Sequence, residues 1–452
     1  MIKVTFGGDI MNEKNQLIDS ITKLYRNSHT VKSETKESDE KRDRILKCFE
    51  KLEKIHREVF EGKSDRDIKK NLEKIFNVPD DEISVGKITE HNINKLKNKK
   101  LHYGDIDLSS LESAKGLILP SIVIGSLNLK GLTSVDGLTL PRYVRKNIVL
   151  NDLTSTEKLI LPQIVGGNLY LERLISAKKI VFPDYIGGNL CLSSLVKIDK
   201  LLLPQIVDGD VALSSLTNAD NMVLPQIVKG DLRLNSLIRA KGLILPQYIE
   251  GGLYLCSLTS ALKVTFPQYV KGDIYLDSLT STFGLKLPSF FERGLYLCSV
   301  TNIDDLALPE YIKGSLVLSG LTSVKNLKLP KIVEGDLYLS RLTKAEGLTL
   351  PQKVGGNLVL WDLEKANNLK MPQTIEGLLY LNSLKSAEGL KLPKNFSLFY
   401  LTASRMIINE IRKNPRLYYQ TDENCELDNP VKEKVKKYRH LSLYFFVKRC
   451  QI

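Results

Sequence analysis

The chain has 452 residues, 42% of them hydrophobic and 26% charged, a balance that excludes a disordered or collagen-like polypeptide. No apolar run approaches the roughly 18 residues of a membrane-spanning helix. The net charge of +13 sits mostly at the ends: 23 basic against 19 acidic residues in 1–100, 12 against 6 in 394–452, and only 30 against 27 in 101–393. A body that wrapped nucleic acid would carry its positive charge along its length, so that class is disfavoured.

The N-terminus, MIKVTFGGDIMNEKNQ, lacks the apolar core of a cleaved signal peptide. The expected location is therefore cytoplasmic, or reached by export that reads no such signal. Leu17, Ile18, Ile21 and Leu24 are spaced for one helix face, as are Ile45, Phe49, Leu52, Ile55 and Val59. Ser64 and Asp67 open a further helix with a capping-box-like start. Residues 1–100 are thus predicted to form an α-helical N-terminal domain that caps the first repeat. SVGKIT (84–89) lacks the upstream glycine of a phosphate loop and is discounted as one.

From residue 101 a different order takes over. Prolines recur every 21 residues from Pro120 to Pro393 without an insertion. With proline as place 1, place 10 is Leu in every complete copy, and place 13 is Leu in all but one, where it is Val300. Place 8 is Leu, Ile or Val. Place 6 is Gly except at Lys146 and Arg293. Places 4, 16, 19 and 21 are apolar or small, and so is place 3 except at Lys353.

Apolar residues two apart are a strand signature. Two such pairs, at places 8/10 and 19/21, predict two short parallel strands per coil. The turns are placed at Pro-Gln-x-Val-x-Gly and at Ser-Leu-Thr-Ser-Ala. One coil cannot bury its leucines alone, whereas stacked coils make a continuous core. The fold class is therefore a repeat solenoid of 21-residue coils with short parallel β-strands, spanning 101–393 and flanked by α-helical caps.

After Pro393 the pattern stops. KNFSLFYLTASRMIINEIRKN has helical spacing, and NPVKEKVKKYRHLSLYFFVKRC (429–450) reads as a basic amphipathic helix. Residues 394–452 are predicted to form a helical, basic C-terminal cap, with peripheral membrane contact as its alternative role.

Six cysteines follow no CxxC or paired spacing, and five histidines show no HExxH. No metal site and no cofactor are expected, and the cysteines read as reduced thiols. Two surface clusters stand out. Place 9 points outward between inward places 8 and 10, and it holds Tyr254, Tyr275, Tyr296, Tyr338 and Tyr380, with Trp361 at place 11. Tyrosine and tryptophan are enriched at binding hot spots, and the same rings can stack as an aromatic ladder. At place 7, Asp210 and Asp231 fall on adjacent coils with Arg233 nearby. That pair is a secondary polar cluster, open to a catalytic or a merely solvated reading. Lys286, Lys328, Lys370 and Lys391 at place 20 read as a solvated face.

The motif LPxxVxGxLxL followed by LxSAxGLxL resembles the leucine-rich-repeat class, and most closely its receptor-L-domain-like subset, over residues 103–393. Place 13 carries Leu where the usual repeat has Asn, so no asparagine ladder is expected there, and a β-solenoid is favoured over an open horseshoe. The layout is similar to that of leucine-rich-repeat effectors that bacteria inject into host cells. That similarity implies a non-catalytic protein–protein interaction scaffold, monomeric or weakly oligomeric, acting on a protein partner. The competing expectations are a β-helix-type polysaccharide lyase or hydrolase, and an adaptor that reaches membrane or nucleic acid through its basic C-terminal helix.

Overall fold

A computed structural model of the protein describes residues 59–392, 397 and 401–413, apart from 158, 199, 200, 302, 304, 305, 325, 326, 367, 368 and 370. The helices expected before residue 59 and at 429–450 lie outside the described residues. The chain divides into two compact units, Met1–Asn235 with Gly242–Gly251, and Ser236–Lys241 with Gly252–Ile452.

Each coil of this parallel β-solenoid starts at its proline. The ring fixes φ and offers no N–H, so it stands just before a strand rather than within one. The strand follows at places 3–4, as in Ile164–Val165. The chain turns at places 6–7 and runs a second strand at places 8–9, as in Leu169–Tyr170. Both strands pair in parallel and in register with the same places of the next coil, Ile164 with Tyr185 and Leu169 with Leu190.

The predicted strand at places 19/21 is corrected. Between them, place 20 forms only isolated bridges, Ile160 with Val181 and Val223 with Ile244. Place 18, just before them, takes positive φ at Gly242 (77°), Asn221 (58°) and Lys263 (63°), so no extended run leads into them. Conversely, the Pro-Gln-x-Val segment read as a turn is itself a strand.

The first unit carries three parallel sheets. One runs through places 3–4 from Ile83–Val85 to Tyr248–Ile249, and another through places 8–9 from Ile88–Thr89 to Leu232–Arg233. The third is short: Ser155–Glu157, Ser176–Lys178 and Lys197–Ile198. Coiling therefore begins at Ile83, inside the stretch expected to be helical. Ile83 pairs with Leu101 and Ile88 with Ile106. SVGKIT is the first strand–turn–strand, with Gly86 at φ 100°.

Helix α1 (Asp65–Phe76) precedes it, capped by the Ser64 hydroxyl, which accepts from the Asp67 N–H. Its Ile68 and Leu72 pack with Phe60 on Ile83, Leu101 and Ile124, covering the leading coils.

In the second unit the 8–9 sheet runs from Leu253–Tyr254 to Leu379–Leu381 and gains one further strand, Leu401–Ala403, past the last proline. Helix α2 (Arg405–Lys413) closes the described chain and buries Ile407 and Ile411.

Inward places are uniformly dry. Places 8, 10 and 13 are buried in every copy, including Leu276, Leu279 and Val300. Place 4, apart from half-buried Ile375, and the alanines at place 16 join them. Place 3 faces the other way: Ile164 and Ile227 pack against Tyr185 and Ile206 on the outside of the 3–4 sheet. Glycine at place 6 serves close approach rather than positive φ. A Cβ on Gly188 would overlap the Asn168 side-chain oxygen and sit 2.8 Å from the Gly167 carbonyl carbon of the coil before it.

Candidate functional site

In-register parallel pairing sets the same place of successive coils about 4.8 Å apart. That spacing is close to the stacking distance of two aromatic rings, so identical rings at an outward place stack. In the second unit Tyr254 pairs with Tyr275 and Tyr275 with Tyr296. Their ring centroids are 4.8 and 4.4 Å apart, with interplanar angles of 14° and 19°. Tyr275, in the middle, is only 8% exposed, while Tyr254 and Tyr296 are half-buried. The rings therefore stand on edge. They offer ring edges rather than a flat tiled strip, and Val317 follows Tyr296 on the next coil.

The row continues Val317, Tyr338, Val359, Tyr380. Each valine is buried between two tyrosine rungs. Tyr338 donates its hydroxyl to Asp336 Oδ2 at 3.3 Å. Burial first, and then the Asp336 carboxylate, hold the Tyr338 phenol well above its ordinary range. Trp361 meets Tyr380 edge-to-face at 6.3 Å and 88°. The six aromatics thus form one triple stack, one Trp–Tyr pair and Tyr338 between them, the tyrosines at place 9 and Trp361 two places on.

The polar cluster is part of something longer. At place 7 the side-chain oxygen of one coil accepts the backbone N–H of place 7 on the next. In the first unit the chain of contacts runs Asn147 to Asn168 (2.8 Å), Asn189 (2.7 Å), Asp210 (2.8 Å) and Asp231 (2.8 Å). Arg233 donates to Asp210 Oδ2 at 2.8 Å and to Asp231 Oδ2 at 2.7 Å. The two carboxylates are bridged by one guanidinium and one is also tied to an amide, so their like charges are balanced and their geometry is fixed.

The same ladder recurs in the second unit, where Asp273 accepts from Gly294 N, Asp336 from Asn357 N and Asn357 from Leu378 N. Sequence reasoning looked for an asparagine ladder at place 13 and missed this one at place 7. Its signal was a short acceptor, Asn, Asp or Ser, directly after the turn glycine.

Cys191, Cys256 and Cys298 stand as thiols. Burial pushes the Cys191 thiol up to about 11, so it is not a thiolate at neutral pH. Cys298 donates to Asp277 Oδ1 at 2.9 Å. Among the described residues, no group of three or more His, Cys, Asp or Glu is arranged around a metal-sized site. No helix among them is long and apolar enough to cross a membrane.

No protein-family model matches the chain, and no curated protein or solved structure matches it. What the protein does must therefore be argued from its own surfaces.

Proposed function

We propose that the chain is a non-catalytic protein–protein interaction scaffold whose contact surface is the outward aromatic row of the second unit. The observation that carries this reading is the Tyr254–Tyr275–Tyr296 stack, followed on the same sheet by Tyr338 and the Trp361–Tyr380 pair. Parallel pairing has already frozen these side chains, so a partner that closes on them removes little further rotamer freedom. Each ring edge brings apolar area, and most bring a hydroxyl beside it.

The leucine-rich-repeat-like motif and the layout of short repeats between terminal segments support a role as an injected bacterial effector that seizes a host protein. That identity rests on analogy of layout.

The test sets the scaffold against the polysaccharide-degrading reading. The full chain and its Asp210→Asn/Asp231→Asn variant are each used for affinity capture with mass spectrometry, and each is incubated with polygalacturonate. The scaffold reading expects the same polypeptide partner from both proteins and no depolymerisation. Polymer cleavage by the parent that disappears in the asparagine variant would replace the scaffold with an enzyme.

A further inference from the structure

The second unit carries a sheet of four paired strands at places 3–4: Tyr311–Ile312, Ile332–Val333, Lys353–Val354 and Thr374–Ile375. Place 4 faces the core, so places 3 and 5 on either side of it face out. Two contacts put those places on one face. Tyr269 donates its hydroxyl to Glu292 Oε1 at 2.9 Å, and Lys353 Nζ lies 2.8 Å from Glu376 Oε1. Each contact runs from place 3 of one coil to place 5 of the next. Tyr311, at place 3, is 48% exposed, whereas every other described tyrosine is half-buried or buried. This face therefore leaves a large ring uncovered beside half-buried Ile332.

Charge on the face is patterned. Place 5 reads Lys271, Glu292, Lys313, Glu334, Gly355 and Glu376 on successive coils, and place 2 sets Glu310 beside Lys331. Counting Lys353 at place 3, places 2, 3 and 5 of the coils from Pro267 to Pro372 hold four basic and four acidic residues. Lys271, Glu310, Lys313, Lys331, Glu334 and Glu376 are exposed. Glu310 and Lys331 already pair at 2.9 Å. Among the described residues Lys271 and Lys313 make no ion pair.

That pattern selects the occupant. A partner of one charge sign, such as nucleic acid or an anionic bilayer, meets as much repulsion as attraction on a neutral face. A second copy turned end for end meets none. Take a two-fold axis in the contact plane, along the strand direction and midway between the coils of Pro309 and Pro330. Each place then faces the same place on the reversed coil. Lys313 faces Glu334 of the second copy, Glu310 faces Lys331, and Lys271 faces Glu376, and each of these pairs occurs twice. Glu292 faces Gly355, and Lys353 faces Phe290, so no like charges meet. At the centre Tyr311 lies against Ile332 of the second copy.

The strands of the two sheets run aligned in this arrangement, as in ordinary face-to-face packing of sheets. We infer that the second unit pairs with a second copy of the chain through this face, as an antiparallel two-fold dimer separate from the aromatic row. Six coils at about 4.8 Å and a width of roughly 10 Å make a small face. It falls short of the roughly 800 Å² per partner of a standard interface, so the dimer is a weak one, directed by charge.

The experiment is analytical ultracentrifugation of the full chain over a concentration series. The parent should show a monomer–dimer equilibrium that weakens with salt. Lys313→Glu sets like charges against each other twice across the two-fold, so it should weaken the dimer about tenfold or more. Glu334→Lys should do the same. Mixed in equal amounts, the two variants should form a heterodimer about as tight as the parent dimer, since each supplies the charge the other lacks. If Lys313→Glu does not fold, Lys331→Glu mixed with Glu310→Lys carries the same test. Tyr254→Ser/Tyr296→Ser should dimerise like the parent. The inference is overturned if the parent stays monomeric at every concentration, or if Lys313→Glu dimerises as well as the parent. It is also overturned if the mixture associates no better than either variant alone, or if the tyrosine variant is the one that loses the dimer.

Discussion

Leu276→Ala is expected to lower the unfolding free energy by about 2–5 kcal/mol, the range for removing a large apolar side chain from a core that cannot close the gap. Leu276 sits at place 10, fully buried, with Leu255 and Leu297 as its counterparts on the coils before and after. Its amide donates to Tyr296 O, and the Leu255 amide donates to Tyr275 O, both at 2.9 Å. These backbone rows hold adjacent coils at a set distance, so the coils cannot draw together to fill the space left by the leucine. The residue next to it, Tyr275, points the other way into the aromatic stack. Chemical denaturation of parent and variant checks the value. A loss below about 1 kcal/mol, well under the cavity range, would mean that the inward and outward faces have been exchanged.

Acid should loosen the N-terminal coils of the first unit through one buried histidine. His102 lies on the strand Leu101–Tyr103, between Ser84 and Val123 on its neighbours, and is 0% exposed. Its Nδ1 is 2.8 Å from the Ser84 hydroxyl. Burial drags its pKa from 6.5 to about 4, opposed by the Asp105 carboxylate and by backbone groups of Asp105 and Gly86. The folded state therefore stays neutral where the unfolded chain already takes a proton. Stability contributed by the neutral ring is complete above pH 6.5 and drains away as pH falls towards 4, by about 3 kcal/mol in all. His102→Gln removes that titration. Thermal melts of both proteins between pH 7 and pH 4 should show a steeper decline for the parent, since the carboxylates titrate alike in both. Parallel declines would show that His102 has no share in the acid response.

These two sites differ in how readable they were. Leu276 was legible because the same place is Leu in every copy, and a period of 21 fixes its phase against the proline. His102 was not, since it belongs to a coil that begins before the regular spacing and its sequence, LHYGDID, gives no hint of zero exposure. The strand at places 3–4 was hidden by its own brackets. Pro162 and Gly167 both look like turn residues, yet one stands just before the strand and the other just after. Leucines at places 19 and 21 imitated a strand, but the residue between them makes only isolated bridges, and a left-handed residue stands just before them at place 18.

The aromatic row was legible as a row, because parallel register puts like on like. That its rings stack on edge, with Tyr275 shut between its neighbours, is a consequence of the coil spacing and not of composition. Asp210 and Asp231 drew attention as a carboxylate pair. Only the ladder Asn147–Asn168–Asn189–Asp210–Asp231 makes clear that the aspartates continue a run begun by asparagines.

The measurement that bears most directly on the scaffold reading is the affinity of the captured partner for Tyr254→Ser/Tyr296→Ser. Those two rings flank the stack and are its half-buried members, while Tyr275 is left in place as the buried rung. Calorimetric titration should show binding weakened by more than about tenfold, the scale of losing hot-spot aromatics. The melting temperature of the variant should fall by only a few degrees, as for a change of about 1 kcal/mol at a partly exposed site. Unchanged affinity together with a large drop in melting temperature would contradict the account, and would make the tyrosines a stabilising ladder with the partner seated elsewhere.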